Sequence, residues 1–255
     1  MIDIHNHILP NVDDGAPHLQ ESLLMARQAE EKGVTTIVAT PHHRLRDYFN
    51  TREDILEKVD KLNVALEAEN IAVKILPGQE TRLYGEMVHG IHNGELLTTN
   101  DQGKYLFVEL PSDEIPHYAS QTMYDLLQSG VTPIIVHPER NKAIRNKPHW
   151  LYDMVKMGTM TQLTASSITG HFGKEVKQFS HLLITHNLTQ FVASDAHGVK
   201  RRNNRLADAY RLITKIYGEE TTEIFKENSQ LVIEGYHLIV HEPEKVKKKK
   251  FLGIF

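Results

Sequence analysis

Residues 105–111 read Tyr-Leu-Phe-Val-Glu-Leu-Pro, an apolar run that closes on a carboxylate and a proline. Short apolar runs of this kind suit strands buried on both faces, as in parallel sheets. This run spans Tyr105–Leu110, and six others resemble it: Ile2–Ile4, Thr35–Ala39, Val73–Pro77, Thr132–Val136, Met160–Leu163 and Gln190–Ala193. Segments with helical spacing of apolar residues separate them, at Ser22–Lys32, Arg52–Glu69, Tyr118–Ser129, Leu151–Met157 and Val176–His186. Two more helical stretches, Leu206–Tyr217 and Thr221–Asn228, follow the last run. Gly33, Gly130 and Gly158 stand just after three of these segments, where a helix end takes a residue with positive φ. Alternating strand and helix predicts an α/β fold, parallel strands inside and helices outside. Seven such units predict a closed or nearly closed barrel, with a doubly wound open sheet as the alternative.

Composition narrows the function classes. A length of 255 residues suits one α/β barrel, and 40% hydrophobic with 24% charged residues is enough for a sizeable core. The formal net charge of −4 argues against a general nucleic-acid binder, which carries a basic surface. Cysteine is absent, which excludes disulfides, thiolate metal sites and a cysteine nucleophile. No apolar run approaches the roughly 20 residues needed to span a bilayer. The start, MIDIHNHILP, lacks the basic and apolar segments of a secretory signal, so residue 1 is expected to be the functional start and the cytoplasm the location.

Nine side chains at or just beyond the ends of the strand runs are candidate metal ligands: His5, His7, Asp14, His42, Glu80, Glu109, His137, Asp195 and His197. His5 and His7 are two apart, so on a strand they share a face about 7 Å apart. The alternative is a pair of surface or capping histidines, and Asp14 in DDG has a turn residue as its alternative. His42 leaves the second run after a proline, with His43 read as a bystander facing away. Glu80 follows Gly78, which permits close backbone approach. Glu109 ends an apolar strand, where a carboxylate is costly to bury unless it is paired or holds a cation. Its alternative is a buried ion pair with lysine or arginine. His137 ends IIVHPER, and Asp195 and His197 end FVASDAH. In parallel barrels the functional residues gather at the C-terminal strand ends. Six of the seven runs place a ligand there. The sixth leads instead into ASSITG, read as a small-residue loop that admits substrate. Arg140, three residues past His137, is placed to reach the same pocket, where guanidinium matches phosphate oxygens. Its alternative is a salt bridge to Glu139.

In this order, HNH, DDG, TPHH, PGQE, VEL, HPER and SDAH resemble the PHP (polymerase and histidinol phosphatase) superfamily. Within it the chain is similar to the bacterial metal-dependent protein tyrosine phosphatases of capsule and exopolysaccharide synthesis, along essentially its whole length. Asp14 and Glu109 match this branch, where other PHP proteins often carry histidine. With no Pro- or Ser-rich linker the sequence reads as one domain over residues 1–243 with a tail at 244–255, and the resemblance implies for it a distorted seven-stranded (β/α) barrel of TIM-like form. It also implies three divalent metals. Carried over residue by residue, one ion takes His5, His7, Glu80 and Asp195, a second takes Glu80, Glu109 and His137, and a third takes Asp14, His42 and His197. Manganese is the ion the resemblance implies. Imidazole and carboxylate donors without sulfur suit Mn, Fe or Zn alike. Arg202 falls on a family position facing substrate, with surface charge at a helix start as its alternative.

Four carboxylates against three divalent ions leave a formal charge of about +2, an attractive seat for a phosphate dianion. Metal binding brings water towards a pKa of about 7, which supplies a nucleophile at neutral pH. Tyrosinate, with a pKa near 10, is a tolerable leaving group, so no general acid is named. The expected activity is hydrolysis of phosphotyrosine on a bacterial tyrosine kinase or its substrates, regulating capsular polysaccharide synthesis. The alternatives are a PHP phosphatase for a small metabolite such as histidinol phosphate, and a regulator that binds a kinase without catalysis. In the tail, Lys245 and Lys247 to Lys250 precede Phe251, Leu252, Ile254 and Phe255. Such a run can hold the anionic inner face of a membrane at about 1 kcal/mol per charge. A solvated end is the alternative, and a docking role on a kinase is suggested by the family.

Overall fold

Each expected strand run is a strand in the structure, a computed structural model that describes residues 1–246. The strands are β1 (Ile2–Asn6), β2 (Thr36–Ala39), β3 (His42–His43), β4 (Lys74–Pro77), β5 (Glu80–Arg82), β6 (Tyr105–Glu109), β7 (Thr132–Val136), β8 (Met160–Thr164) and β9 (Phe191–Ala193). One sheet runs β1-β2-β4 and the other β3-β5-β6-β7-β8-β9, with every pairing parallel. Helices supply the crossovers that parallel pairing requires.

Among the described residues nine strands therefore stand where seven runs were expected, and two breaks explain the difference. Pro41 has no N–H to donate, so the ladder of β2 stops before β3 begins. Gly78 separates β4 from β5, and a Cβ there would stand 2.6 Å from Val38 Cγ1, so only glycine lets the chain cross β2 so closely. Beyond the breaks the same two passes of chain join the second sheet, with Glu80 N donating to Pro41 O at 3.1 Å. On the opposite side β1 meets the residues after β9: Asp195 N donates to His5 O and His7 N to Ala196 O, both at 2.9 Å. The wall of parallel strands thus returns on itself.

Strand residues pointing inward pack as one apolar cluster that includes Ile4, Val38, Leu76, Phe107, Ile134, Val136 and Phe191. Val232 and Ile233, from the helix Glu219–Glu234, close it from below. Opposite faces of the strands bury a second, larger cluster against the outer helices. A polar tie fastens β1 to the end of β9. Asp3 is fully buried and accepts hydrogen bonds from Ser194 N, Asn6 Nδ2 and Asn204 Nδ2 at 2.8, 3.0 and 2.8 Å. Burial raises its pKa, against the pull of those donors.

The helices Leu19–Glu31, Arg52–Ala68, Ala119–Gln128, Pro148–Met157, Lys174–Thr185 and Leu206–Tyr217 lie where helical spacing predicted them. Gly158 ends one of these helices at φ 116°. Four short helical segments were not anticipated: Met87–His92, Thr99–Asp101, Lys142–Asn146 and Ala165–Thr169. The last occupies most of ASSITG, so that stretch is a buried helical turn and not an open loop. Of the expected tail, Glu244 N donates to His186 O at 2.8 Å and Val246 packs on the core. Residues 247–255, with most of the lysine run and the apolar end, lie outside the described residues.

Candidate metal centre

All nine expected ligands gather at the C-terminal ends of the strands, directly above the ring of Phe107, which lies 5.8 Å from that of His5. Their hydrogen bonds fix which imidazole atoms face inward. His5 Nδ1 stands 2.8 Å from Gln162 Oε1 and His7 Nδ1 2.7 Å from Asp13 Oδ2, so each Nδ1 carries the proton and donates it outward. His197 Nδ1 likewise faces the Asp195 carbonyl at 3.1 Å. The Nε2 atoms of His5, His7 and His197 are thereby the ones turned into the cluster.

Two of those nitrogens, on His5 and His7, come within 3.2 Å of each other, and each lies 3.2–3.3 Å from Glu80 Oε2. His42 bridges the cluster, with Nδ1 3.0 Å from Glu80 Oε2 and Nε2 3.4 Å from Asp14 Oδ1. His197 Nε2 approaches the same Asp14 oxygen at 3.3 Å, and His137 Nε2 meets Glu80 Oε1 at 2.8 Å. Asp195 Oδ1 is 3.4 Å from His7 Nε2 and 3.7 Å from His5 Nε2. Buried atoms of four of these residues, His42 Nδ1, Glu80 Oε2, Glu109 Oε2 and His197 Nε2, have no hydrogen-bond partner. Imidazole nitrogens and carboxylate oxygens packed this densely need protons or cations among them. The donor set therefore fits divalent metal.

Among the described residues there are three groups within each of which the ligand atoms lie within 4.8 Å of one another: His5, His7 and Glu80; His42, Glu80 and Glu109; and His7, Asp14, His42 and His197. These follow the expected division with three differences, the first being that Asp195 joins none of the groups and stands beside His5 and His7 at 3.7 and 3.4 Å. His7 also reaches the Asp14 group, and His42 is the imidazole beside Glu80 and Glu109, the place assigned to His137. Glu109 is also 3.4 Å from Arg82, an arginine not singled out in the sequence. Arg140 does not pair with Glu139. It places Nη1 2.6 Å from Asp195 Oδ2, and Arg202 places Nη2 3.0 Å from Asp195 Oδ1 and Nη1 3.6 Å from Asp14 Oδ2.

Crowding sets the protonation of the site. Burial would depress His7 and His42, but Asp13 raises His7 well above the usual histidine value and Glu80, with Asp14, raises His42 to about 9. Burial, then Glu80 nearby, pushes Glu109 up to about 7. Burial, with Arg140 close by, lowers His137 to about 4; burial and His7 do the same to His197. Asp14 is held well below the usual carboxylate value by the neighbouring imidazoles of His197 and His42. Asp195, despite its burial, is held well below the usual carboxylate value by Arg202, His7 and Arg140.

Backbone geometry singles out the same residues. His137 and Asp195 sit at φ 36° and 50°, the left-handed region that side chains avoid. Both stand at the turn out of a strand, so the strain turns their side chains over the cluster. His43 faces away, as expected, with its ring between Asn50 O and Glu95. Two supporting residues were missed. Asp13 orients His7 and also accepts from His42 N at 3.0 Å, while the neighbouring Asp14 projects to the surface side. Gln162 is the contribution of the sixth expected strand, which had been assigned none.

Residues 1–234 match the family described as capsular polysaccharide synthesis, CpsB/CapC. The chain belongs to the CpsB/CapC family. Among its relatives, tyrosine-protein phosphatase YwqE of Bacillus subtilis is 44% identical over the full length of both chains. Putative tyrosine-protein phosphatase CapC of Staphylococcus aureus is 38% identical, also over both full lengths. A crystal structure of YwqE, described together with CpsB of Streptococcus pneumoniae as unique metal-dependent tyrosine phosphatases, superimposes with a TM-score of 0.95 over 97% of this chain and 100% of that one. The organophosphorus hydrolase of Deinococcus radiodurans, 12% identical with a TM-score of 0.56 over 91% of each chain, shares the fold alone.

Proposed function

We propose that this CpsB/CapC chain is a metal-dependent tyrosine-protein phosphatase acting in capsular polysaccharide synthesis. The observation that carries the reading is the packing of imidazole nitrogens from His5 and His7 against Glu80, with two arginines held beside them on Asp195. Relatives named as tyrosine-protein phosphatases support it over a small-metabolite phosphatase or a regulator without catalysis.

The nine ligands would hold three divalent ions, with manganese as the proposed metal. When bound, such ions supply Lewis-acid charge and a nucleophile at neutral pH. The chain's own residues do the rest. Glu80 reaches imidazoles on several sides and so ties the centre together. Gln162 and Asp13 hold His5 and His7 with Nε2 inward. Arg140 and Arg202 carry fixed positive charge to the place where a phosphate would meet the cluster, and each can give two N–H bonds to its oxygens. Both guanidiniums keep about a third of their surface open, 33% for Arg140 and 30% for Arg202, so a phosphate can reach them from solvent.

We further propose that residues 1–243 act as one catalytic unit in the cytoplasm, on a bacterial tyrosine kinase or its substrates. Among the described residues no helix is long and apolar enough to cross a membrane. The lysines and apolar residues of 244–255 suit peripheral contact with an anionic membrane surface. Sedimentation with anionic vesicles, for the full chain and a chain ending at Glu244, tests that contact. For the activity, the manganese-loaded protein is expected to hydrolyse p-nitrophenyl phosphate and a phosphotyrosine peptide. Full activity after thorough chelation, or in Asp195→Ala and His137→Ala, would refute the site.

A further inference from the structure

Two aromatic rings stand on groups of the metal centre, one on the ligand His42 and the other on Arg140. Tyr48 lies parallel to the His42 imidazole, with centroids 6.2 Å apart and planes 12° from parallel. Phe172 lies under the Arg140 guanidinium, 5.1 Å from ring centre to carbon. Neither ring is buried: Phe172 is 36% exposed and Tyr48 is half-buried.

Each ring is fixed by a tight turn. Tyr48 N donates to Leu45 O at 2.9 Å, with Arg44 and Arg46 at positive φ on the way round. Phe172 sits between Gly170 and Gly173, at φ 95° and 93°, and His171 N is tied back to Ser166 O at 2.8 Å. Phe49 is exposed too, but its ring packs on His43 and Arg44, away from the ligand groups.

Binding a phosphate needs only positive charge, and neither Tyr48 nor Phe172 supplies any. Phe172 leaves 36% of its surface open beside Arg140, apolar area that a ligand's own ring would cover. In a phosphoryl monoester the group on the bridging oxygen projects away from the phosphate and toward the mouth of the site. An aliphatic group would gain little from two flanking rings, whereas an aryl ring gains stacking or edge contact with each.

We infer that Tyr48 and Phe172 form an aryl clamp at the mouth of the metal centre and set the preference for aryl over alkyl phosphates. The inference rests on the phosphatase reading for its choice of ligand, and its test is separate from turnover. Phenylphosphonate and methylphosphonate carry no ester to cleave, so their affinities report the ring's contribution alone.

The experiment titrates the manganese-loaded full chain with each phosphonate by calorimetry. Phenylphosphonate is expected to bind the native chain about tenfold more tightly, the preference falling to about threefold in Tyr48→Ala or Phe172→Ala and to near unity in the double variant. Tyr48→Phe and Phe172→Tyr keep a flat ring and are expected to retain the preference. Methylphosphonate affinity is expected to stay within about twofold of native throughout, because no cation is removed. No binding of either ligand, equal affinity for the two in the native chain, or a preference that survives the double variant overturns the clamp. So does equal weakening of both ligands, which would mean that the rings only prop Arg140 and His42. Hydrolysis of p-nitrophenyl phosphate is scored independently. Loss of turnover with an intact ring preference would reject the phosphatase reading alone, and turnover without a ring preference would reject the clamp alone.

Discussion

Asp13 holds His7 through a 2.7 Å contact from Nδ1 to Oδ2, and neither side chain has any exposed surface. The same carboxylate oxygen accepts from His42 N at 3.0 Å, so one residue sets the tautomer of His7 and the position of His42. A carboxylate behind a ligating imidazole raises its basicity and fixes its ring, and losing such a partner costs about 10–100-fold in metal affinity. Asp13→Asn is therefore expected to weaken manganese binding by that factor while the protein stays folded. Metal titration of the chelated protein, with a thermal melt beside it, measures both. Unchanged affinity would mean that His7 needs no orienting partner.

Gly15 is the third residue of DDG, and a Cβ there would lie 2.2 Å from His7 O and 2.5 Å from His7 Cβ. Backbone cannot yield as a flexible side-chain tip can. Gly15→Ala is expected to push the Asp13–Asp14 turn off β1, costing about 1–3 kcal/mol of stability. Metal affinity should fall with it. A melting temperature equal to that of the native chain would show that the turn moves freely.

What was legible in the sequence was whatever has a long or repeated signal. Runs such as Tyr105–Glu109 and Thr132–Val136 are apolar along Tyr105–Val108 and Pro133–Val136 because both faces are covered there, and they are legible almost to the residue. The ligands at their ends were visible because a histidine or carboxylate next to such a run has no cheap reason to be there. Strands of two or three residues, such as His42–His43 and Glu80–Arg82, are too short to show any period. The choice of Asp14 over Asp13 as ligand left Asp13 without a role, because adjacent identical residues differ only in direction and the turn decides that. Gln162 did leave a trace, as an amide in the middle of an apolar strand, where it needs a partner.

Arg140 and Arg202 share one carboxylate, Asp195, which is itself close to His5 and His7. Lysine at either position keeps the charge but loses the planar pair of N–H bonds. Arg140→Lys and Arg202→Lys are each expected to lower kcat/KM on p-nitrophenyl phosphate by about 10–100-fold, the scale of one hydrogen bond to a charged group. Metal content should hold, since neither is a ligand. Steady-state kinetics with elemental analysis tests the pair. Loss of metal along with activity would recast the arginines as supports for Asp195.

Protonation of the metal-free cluster predicts how its stability depends on pH. His42 is held at about 9 in the folded chain against an ordinary value of 6.5, so it favours folding fully below about 6.5 and loses that contribution as pH rises through 9. His7 is raised as well and acts with the same sign. Glu109, raised to about 7, has already spent most of its effect before the upper half of this window. His137 and His197, lowered to about 4, act only on the acid side, where falling pH charges them in the unfolded chain first. The chelated protein is therefore expected to lose on the order of 2 kcal/mol between pH 6.5 and 9, which for a chain of this size is a fall of about 4–8 °C in Tm. Cations stand in for those protons, so the manganese-loaded protein should lack this fall, and loading at pH 7 should release protons to the buffer. Thermal melts of both forms across the window, with calorimetry in buffers of different ionisation enthalpy, measure the two effects. A flat profile for the chelated protein, or loading without proton release, would mean that His7 and His42 are neutral before any metal arrives.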